Sequence, residues 1–131
     1  MDIEGAEFEA FPDILKHANN ITGIAIEIHF DDPVTKTNKA HQINKAIKLL
    51  SGIDQKFLLV HLHANNCSPN SFTTQNSKGE ISEVLELTYI NKSLVDRYDI
   101  AKNQSHPSEL DITNCLENPD PTFEVLVNND K

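Results

Sequence analysis

The chain has 131 residues, of which 38% are hydrophobic, enough for one compact domain with a single core. Eleven Lys and Arg stand against 20 Asp and Glu, for a net charge of -9. The chain has no basic cluster to neutralise phosphates, which argues against nucleic acid and anionic membrane surfaces as partners.

The chain begins with an acid-rich stretch around Gly5. Phe8, Phe11, Leu15 and Ala18 then recur at helical spacing, which predicts a short amphipathic helix within residues 7–19. Pro12 is expected in its first turn, or else the helix restarts near Asp13. Glu7 belongs to the helix start. In "ITGIAIEIHF", Ile24, Ile26, Ile28 and Phe30 alternate with Ala25, Glu27 and His29, the pattern of a half-buried strand. Turn residues follow. A second helix is expected over about residues 37–51, with Ala40, Ile43, Ile47 and Leu50 inward, Thr37 or Asn38 as its cap and Gly52 at its end.

"FLLVHLHAN" reads as a second strand, with Leu58, Val60 and Leu62 on one face and Leu59, His61 and His63 on the other. A polar loop leads to a third strand, where Leu85, Leu87 and Tyr89 oppose Val84, Glu86 and Thr88. The segment after Lys92 is weakly patterned, with one more short strand expected at Phe123–Val127. The helix between the first two strands suits a parallel crossover, and the loop before the third permits an antiparallel pair. The expected class is α/β, a mixed sheet with flanking helices. Cys67 and Cys115 are too few and too isolated for a disulfide framework, which leaves two reduced thiols, and no apolar run is long enough to span a bilayer or serve as a signal peptide. A cytoplasmic protein is expected.

Several stretches together resemble the FkbM-type S-adenosylmethionine-dependent methyltransferases: "DIEGAEFEAF" at 2–11, "GIAIEIHF" at 23–30, "LLVHLHANN" at 58–66 and "VLELTYI" at 84–90, with "ELDITNCLENPD" at 109–120 a looser match. The resemblance covers nearly the whole chain but only the C-terminal half of the family's domain. It implies the C-terminal part of a Rossmann-like methyltransferase sheet whose last strand runs antiparallel. By the same resemblance, Asp2 and Glu4 follow a further strand and face the cofactor and acceptor; the plain alternative is that they complement a helix dipole. The family's Gly-rich cofactor loop has no counterpart, since Gly5, Gly23, Gly52 and Gly79 are scattered, so the chain reads as truncated and incomplete as an enzyme.

Glu27 and His29 share one strand face, and His61 and His63 are expected to share another. These groups suit proton transfer, with His29 or His61 drawing a proton from an acceptor hydroxyl and Glu27 beside them. The alternatives are a Zn²⁺ site or a hydrogen-bonded polar layer; no metal ligand is assigned. His63, Asn65 and Asn66 are candidates for binding the acceptor, although an Asn pair also makes turns. His17, His41 and His106 read as surface residues. The resulting expectation is O-methyl transfer from S-adenosylmethionine to a hydroxyl of a small molecule or glycan, with a homodimer or a companion N-terminal half as partner. Two other readings are a non-enzymatic α/β interaction fragment and a small metal-binding protein.

Overall fold

A computed structural model describes residues 1–30, 39–68, 71–72, 77–78, 80–102 and 104–125. Its elements are α1 (Glu7–Lys16), β1 (Gly23–His29), α2 (Lys39–Asp54), β2 (Phe57–Ala64), β3 (Ser71–Phe72), β4 (Ser77–Lys78), β5 (Ile81–Ser82), β6 (Val84–Asn91), β7 (Gln104–His106) and β8 (Phe123–Val125). The fold is mixed α/β with antiparallel sheets.

The main sheet has the order β1-β6-β2, and β6 is antiparallel to both neighbours. β1 and β2 therefore run in the same direction, as a helical crossover requires, but they are not adjacent: β6 lies between them. At β1's other edge the Met1 ammonium donates to Ala25 O and Glu27 N donates to Met1 O. These two bonds bracket Ile26 in the manner of a parallel pair. Smaller pairings, β3 with β5 and β4-β8-β7, complete the strands.

The two faces of the main sheet differ in chemistry. Ile26, Ile28, Leu85, Leu87 and Tyr89 point to one side and form a single cluster with Phe11 of α1 and Ala46, Leu49 and Ile53 of α2. Both helices cover this apolar face. The other face carries Glu27, His29, His61, His63, Glu86 and Thr88, and the C-terminal segment lies over it through Asp111, Asn114 and Asp120. Period-two alternation thus divides each strand between a dry layer and a polar one.

Several expectations need correction. Pro12 lies inside one continuous helix. Phe11, fully buried beside it, gives α1 its anchor, and burial of that ring outweighs the one hydrogen bond that proline forfeits. α2 runs on through Gly52 to Asp54 and does not end at Gly52. A Cβ on Gly52 would lie 3.2 Å from Leu15 Cδ1, so the glycine serves the close approach of the helices. The most buried face of α2 is Gln42, Ala46, Leu49 and Ile53; the expected Ile43 and Leu50 flank it, partly buried against the core, while Ile47 is exposed, because packing against α1 rotates the stripe from the expected register. The proposed caps Thr37 and Asn38 lie outside the described residues, as do the last residues of the strand expected to reach Val127.

In β2 the register slips between Leu59 and His61, leaving Val60 as a bulge residue. Leu59 consequently shares the apolar side with Tyr89 and not the face of His61. The largest correction concerns the cysteines. Cys67 and Cys115 form a disulfide with a Cα–Cα separation of 5.4 Å. The expectation of two reduced thiols is overturned, which removes one of the grounds for expecting a cytoplasmic location. No helix among the described residues is long and apolar enough to cross a membrane.

Candidate functional site

The polar face of the sheet positions every histidine and carboxylate that the sequence singled out, except Asp2 and Glu4. The register aligns Glu27 with Glu86 and Glu86 with His63, while Thr88 lies between Ala25 and His61. Inserting β6 separates His29 on β1 from His61 and His63 on β2 by two strand spacings, roughly 10 Å. The histidines therefore do not all converge on one point: His29 meets one set of acids, and His61 and His63 another.

On the β1 side, His29 ends its strand among four carboxylates. Its Nδ1 is 3.2 Å from Glu7 Oε1, and its Nε2 is 3.7 Å from Glu4 Oε2 and 3.9 Å from Glu27 Oε1. Asp2 and Glu4 each place a carboxylate oxygen within 4.8 Å of a His29 ring nitrogen and of each other. The turn that makes this possible has Glu4 at φ +54° and Gly5 at φ +96°. The left-handed region favours glycine, and a glutamate held there stores strain on the order of 1–3 kcal/mol. Glu7 is fully buried; its Oε1 also accepts from Ile3 N and Gly5 N, which locks this turn onto the first turn of α1. Its Oε2 has no hydrogen-bond partner among the described residues.

Glu27 accepts a 3.0 Å hydrogen bond from Asn65 Nδ2, joining the carboxyl ends of β1 and β2. Burial pushes the Glu27 carboxyl above its ordinary value, opposed by the Asn65 bond and His29 and reinforced by Asp2 and Glu86. Asn65 Oδ1 accepts from Cys67 N. Asp2, Glu4, Glu27, His29 and Asn65 thus gather at one end of the sheet, the end where β1 and β2 both finish.

On the β2 side, His63 is buried and its Nδ1 lies 3.1 Å from Glu86 Oε2, while Asn114 holds the other oxygen of Glu86. His61 Nε2 is 2.7 Å from Asp111 Oδ1, an ion-pair distance, although that oxygen accepts no aligned hydrogen bond. Burial works against ionisation of Asp111, but the Ser108 N–H together with His63 and His61 holds its carboxyl below the ordinary range. His106 is buried, not a surface residue, and stacks on Phe123 at 4.7 Å. His17 and His41 are exposed as expected.

Asn66 has no amide atom left for an acceptor. Its Nδ2 donates to Cys115 O at 2.8 Å and Asn118 O at 2.7 Å, and its Oδ1 accepts from Cys115 N. With the disulfide one residue away, Asn66 clamps the C-terminal segment to the end of β2. His63 is similarly enclosed, so of the three acceptor-binding candidates Asn65 alone stands at the β1 cluster. Sequence reasoning missed Glu7 as the partner of His29, and Asp111, Asn114, Asp120 and His106 as partners in the second cluster. Glu7 is part of "DIEGAE" and could have been found there; the others lie where no periodicity orients a side chain.

Comparison with protein-family models, with curated proteins and with solved structures gives no match.

Proposed function

We propose that the chain forms the acceptor end of a S-adenosylmethionine-dependent O-methyltransferase-like site, built around His29. The observation that carries this reading is the seating of His29, held by buried Glu7, where two co-directional strands finish. Open α/β sheets bind ligands beyond the carboxyl ends of their strands. The resemblance of "DIEGAEFEAF", "GIAIEIHF" and "LLVHLHANN" to FkbM-type enzymes agrees with that end of the sheet, and the antiparallel β6 agrees with the family's last strand.

Chemically, the sulfonium methyl passes to an acceptor oxygen by direct displacement, and the hydroxyl proton must leave. An acceptor hydroxyl between His29 Nε2 and Glu27 Oε1, which are 3.9 Å apart, meets proton acceptors on both sides. Asn65 steadies Glu27, and Glu7 fixes the orientation of the imidazole. His61, paired with Asp111 two strands away, has no part in this step. The cofactor's close backbone loop is not among the four scattered glycines, so the cofactor is held chiefly by groups other than these 131 residues. The acceptor class is a hydroxyl on a sugar or small metabolite.

The test is incorporation of labelled methyl from S-adenosylmethionine into a panel of hydroxyl acceptors. The protein would be isolated from its natural source with any chain that co-purifies. His29→Asn is expected to lower transfer about 100-fold or more while leaving cofactor binding in place. An isolate that binds no S-adenosylmethionine and methylates no acceptor would sink the reading.

A second reading, an interaction module, is favoured by Leu59, Val60, Tyr98 and Ile100. All four are exposed around a groove of about 460 Å³ at the outer edge of β2. Concentration-dependent self-association in light scattering, abolished by Val60→Lys, would support it; a monomer at all concentrations would remove a homodimer from consideration.

A further inference from the structure

We infer that Asp2, Glu4 and His29 form a divalent-cation site at the carboxyl end of β1, with Glu7 as the outer partner of the imidazole. One ligand atom from each of the three lies within 4.8 Å of the others. Glu27 stands next to them, its Oε1 3.9 Å from His29 Nε2.

The proton arrangement on His29 shows what the site asks for. Glu7 Oε1 can only accept, so Nδ1 carries the hydrogen at the 3.2 Å contact. That leaves Nε2 facing Glu4 and Glu27, which offer it nothing but acceptor oxygens. Such a contact calls for a positive centre, either a proton on Nε2 or a cation bound there. A carboxylate that holds the far nitrogen of an imidazole is also the usual second layer behind a metal-bound histidine.

Glu7 supplies an independent reason. It is wholly buried at the edge of the cluster, turns Oε1 to His29 and leaves Oε2 without a partner among the described residues. A buried carboxylate requires a compensating charge. Among the described residues no lysine or arginine forms an ion pair with Asp2, Glu4, Glu7 or Glu27. A single imidazolium is a weak answer to four carboxylates; a divalent ion on Nε2 offsets twice the charge and is felt by Glu7 through the ring. Two or three carboxylates and one imidazole suit an ion that accepts both hard oxygen and nitrogen, of the Mn²⁺ or Zn²⁺ kind. An ion on Nε2 takes the lone pair that the proposed proton transfer would use, so with the ion bound that step falls to Glu27 alone, and the site is tested by ion binding without reference to methyl transfer.

The test is titration of Mn²⁺ into the metal-stripped chain, followed by electron paramagnetic resonance of the free ion. One saturable site is expected, with nitrogen hyperfine coupling from His29. Asp2 and Glu4 are exposed, so the Asp2→Asn/Glu4→Gln double variant keeps the fold, checked by circular dichroism, and should weaken binding at least about tenfold. No saturable binding, binding unaffected by the double variant, or a bound ion without nitrogen coupling would each overturn the site and show that a proton alone balances the cluster.

Discussion

His106 shows how one side chain couples the C-terminal segment to pH. Burial between β2 and Phe123 holds its imidazole below the ordinary histidine value, against the opposing pull of Asp111 and of a backbone hydrogen bond with Leu62. A depressed histidine costs nothing while neutral in both states. Its contribution is present above the ordinary value of about 6.5 and is lost as pH falls through the lower value of the folded state. Asp111, held below its ordinary value, loses its contribution on further acidification, also in the destabilising direction. Asp54, pushed up by burial and opposed by Lys92, works the other way but only in the carboxylate range. Thermal stability should therefore fall as pH drops from 7 towards 5, and His106→Phe, which keeps the stack on Phe123, should flatten that slope. An unchanged slope would remove His106 as its source.

At the scale of elements, α1 carries a built-in fault. Pro12 is exposed on a helix whose neighbouring Phe11 is wholly buried, so the proline contributes no packing while withholding a hydrogen bond from Phe8 O. Pro12→Ala restores that bond and costs some unfolded-state restriction. The net gain should be about 1–2 kcal/mol, read as a rise in melting temperature of several degrees. A lower melting temperature would mean that proline shapes the helix for its contact with α2. The bulge at Val60 is the corresponding irregularity in β2: it keeps buried Phe57 on the core side while His61 and His63 face the carboxylates.

Over the whole molecule, the helices on one face and the C-terminal segment on the other enclose the sheet, and the second covering has a covalent fastening besides its polar contacts. Cys67–Cys115 closes a loop of sequence separation 48, and Asn66 reinforces it from the same turn. The entropy of that loop corresponds to about 4 kcal/mol. Reduction, or Cys67→Ala with Cys115→Ala, should lower stability by about 2–4 kcal/mol and loosen the covering over His61 and His63. Thiol titration of the denatured, unreduced protein should find no free thiol; reactive thiols on both cysteines would restore the reduced reading.

The local patterns of the sequence determined the alternation in β1 and β6, the existence of both helices and the pairing of Glu27 with His29 on one strand face and of Glu86 with Thr88 on another, because period and burial are properties of short segments. The helix between β1 and β2 likewise dictated that these strands run in the same direction. Only the tertiary structure decided that β6 separates them, because strand order follows from which edges find partners, not from chain order. That choice keeps His29 apart from His61 and His63 and gives it the acids of the first turn. It also decided the exact side of α2 that is buried, the bulge at Val60, and the meeting of Cys67 with Cys115, since each depends on surfaces far apart in the chain. The weakly patterned segment after Lys92 was illegible for the same reason: Asp111, Asn114 and Asp120 have no period to orient them, and their places are set by the polar groups already waiting on the sheet.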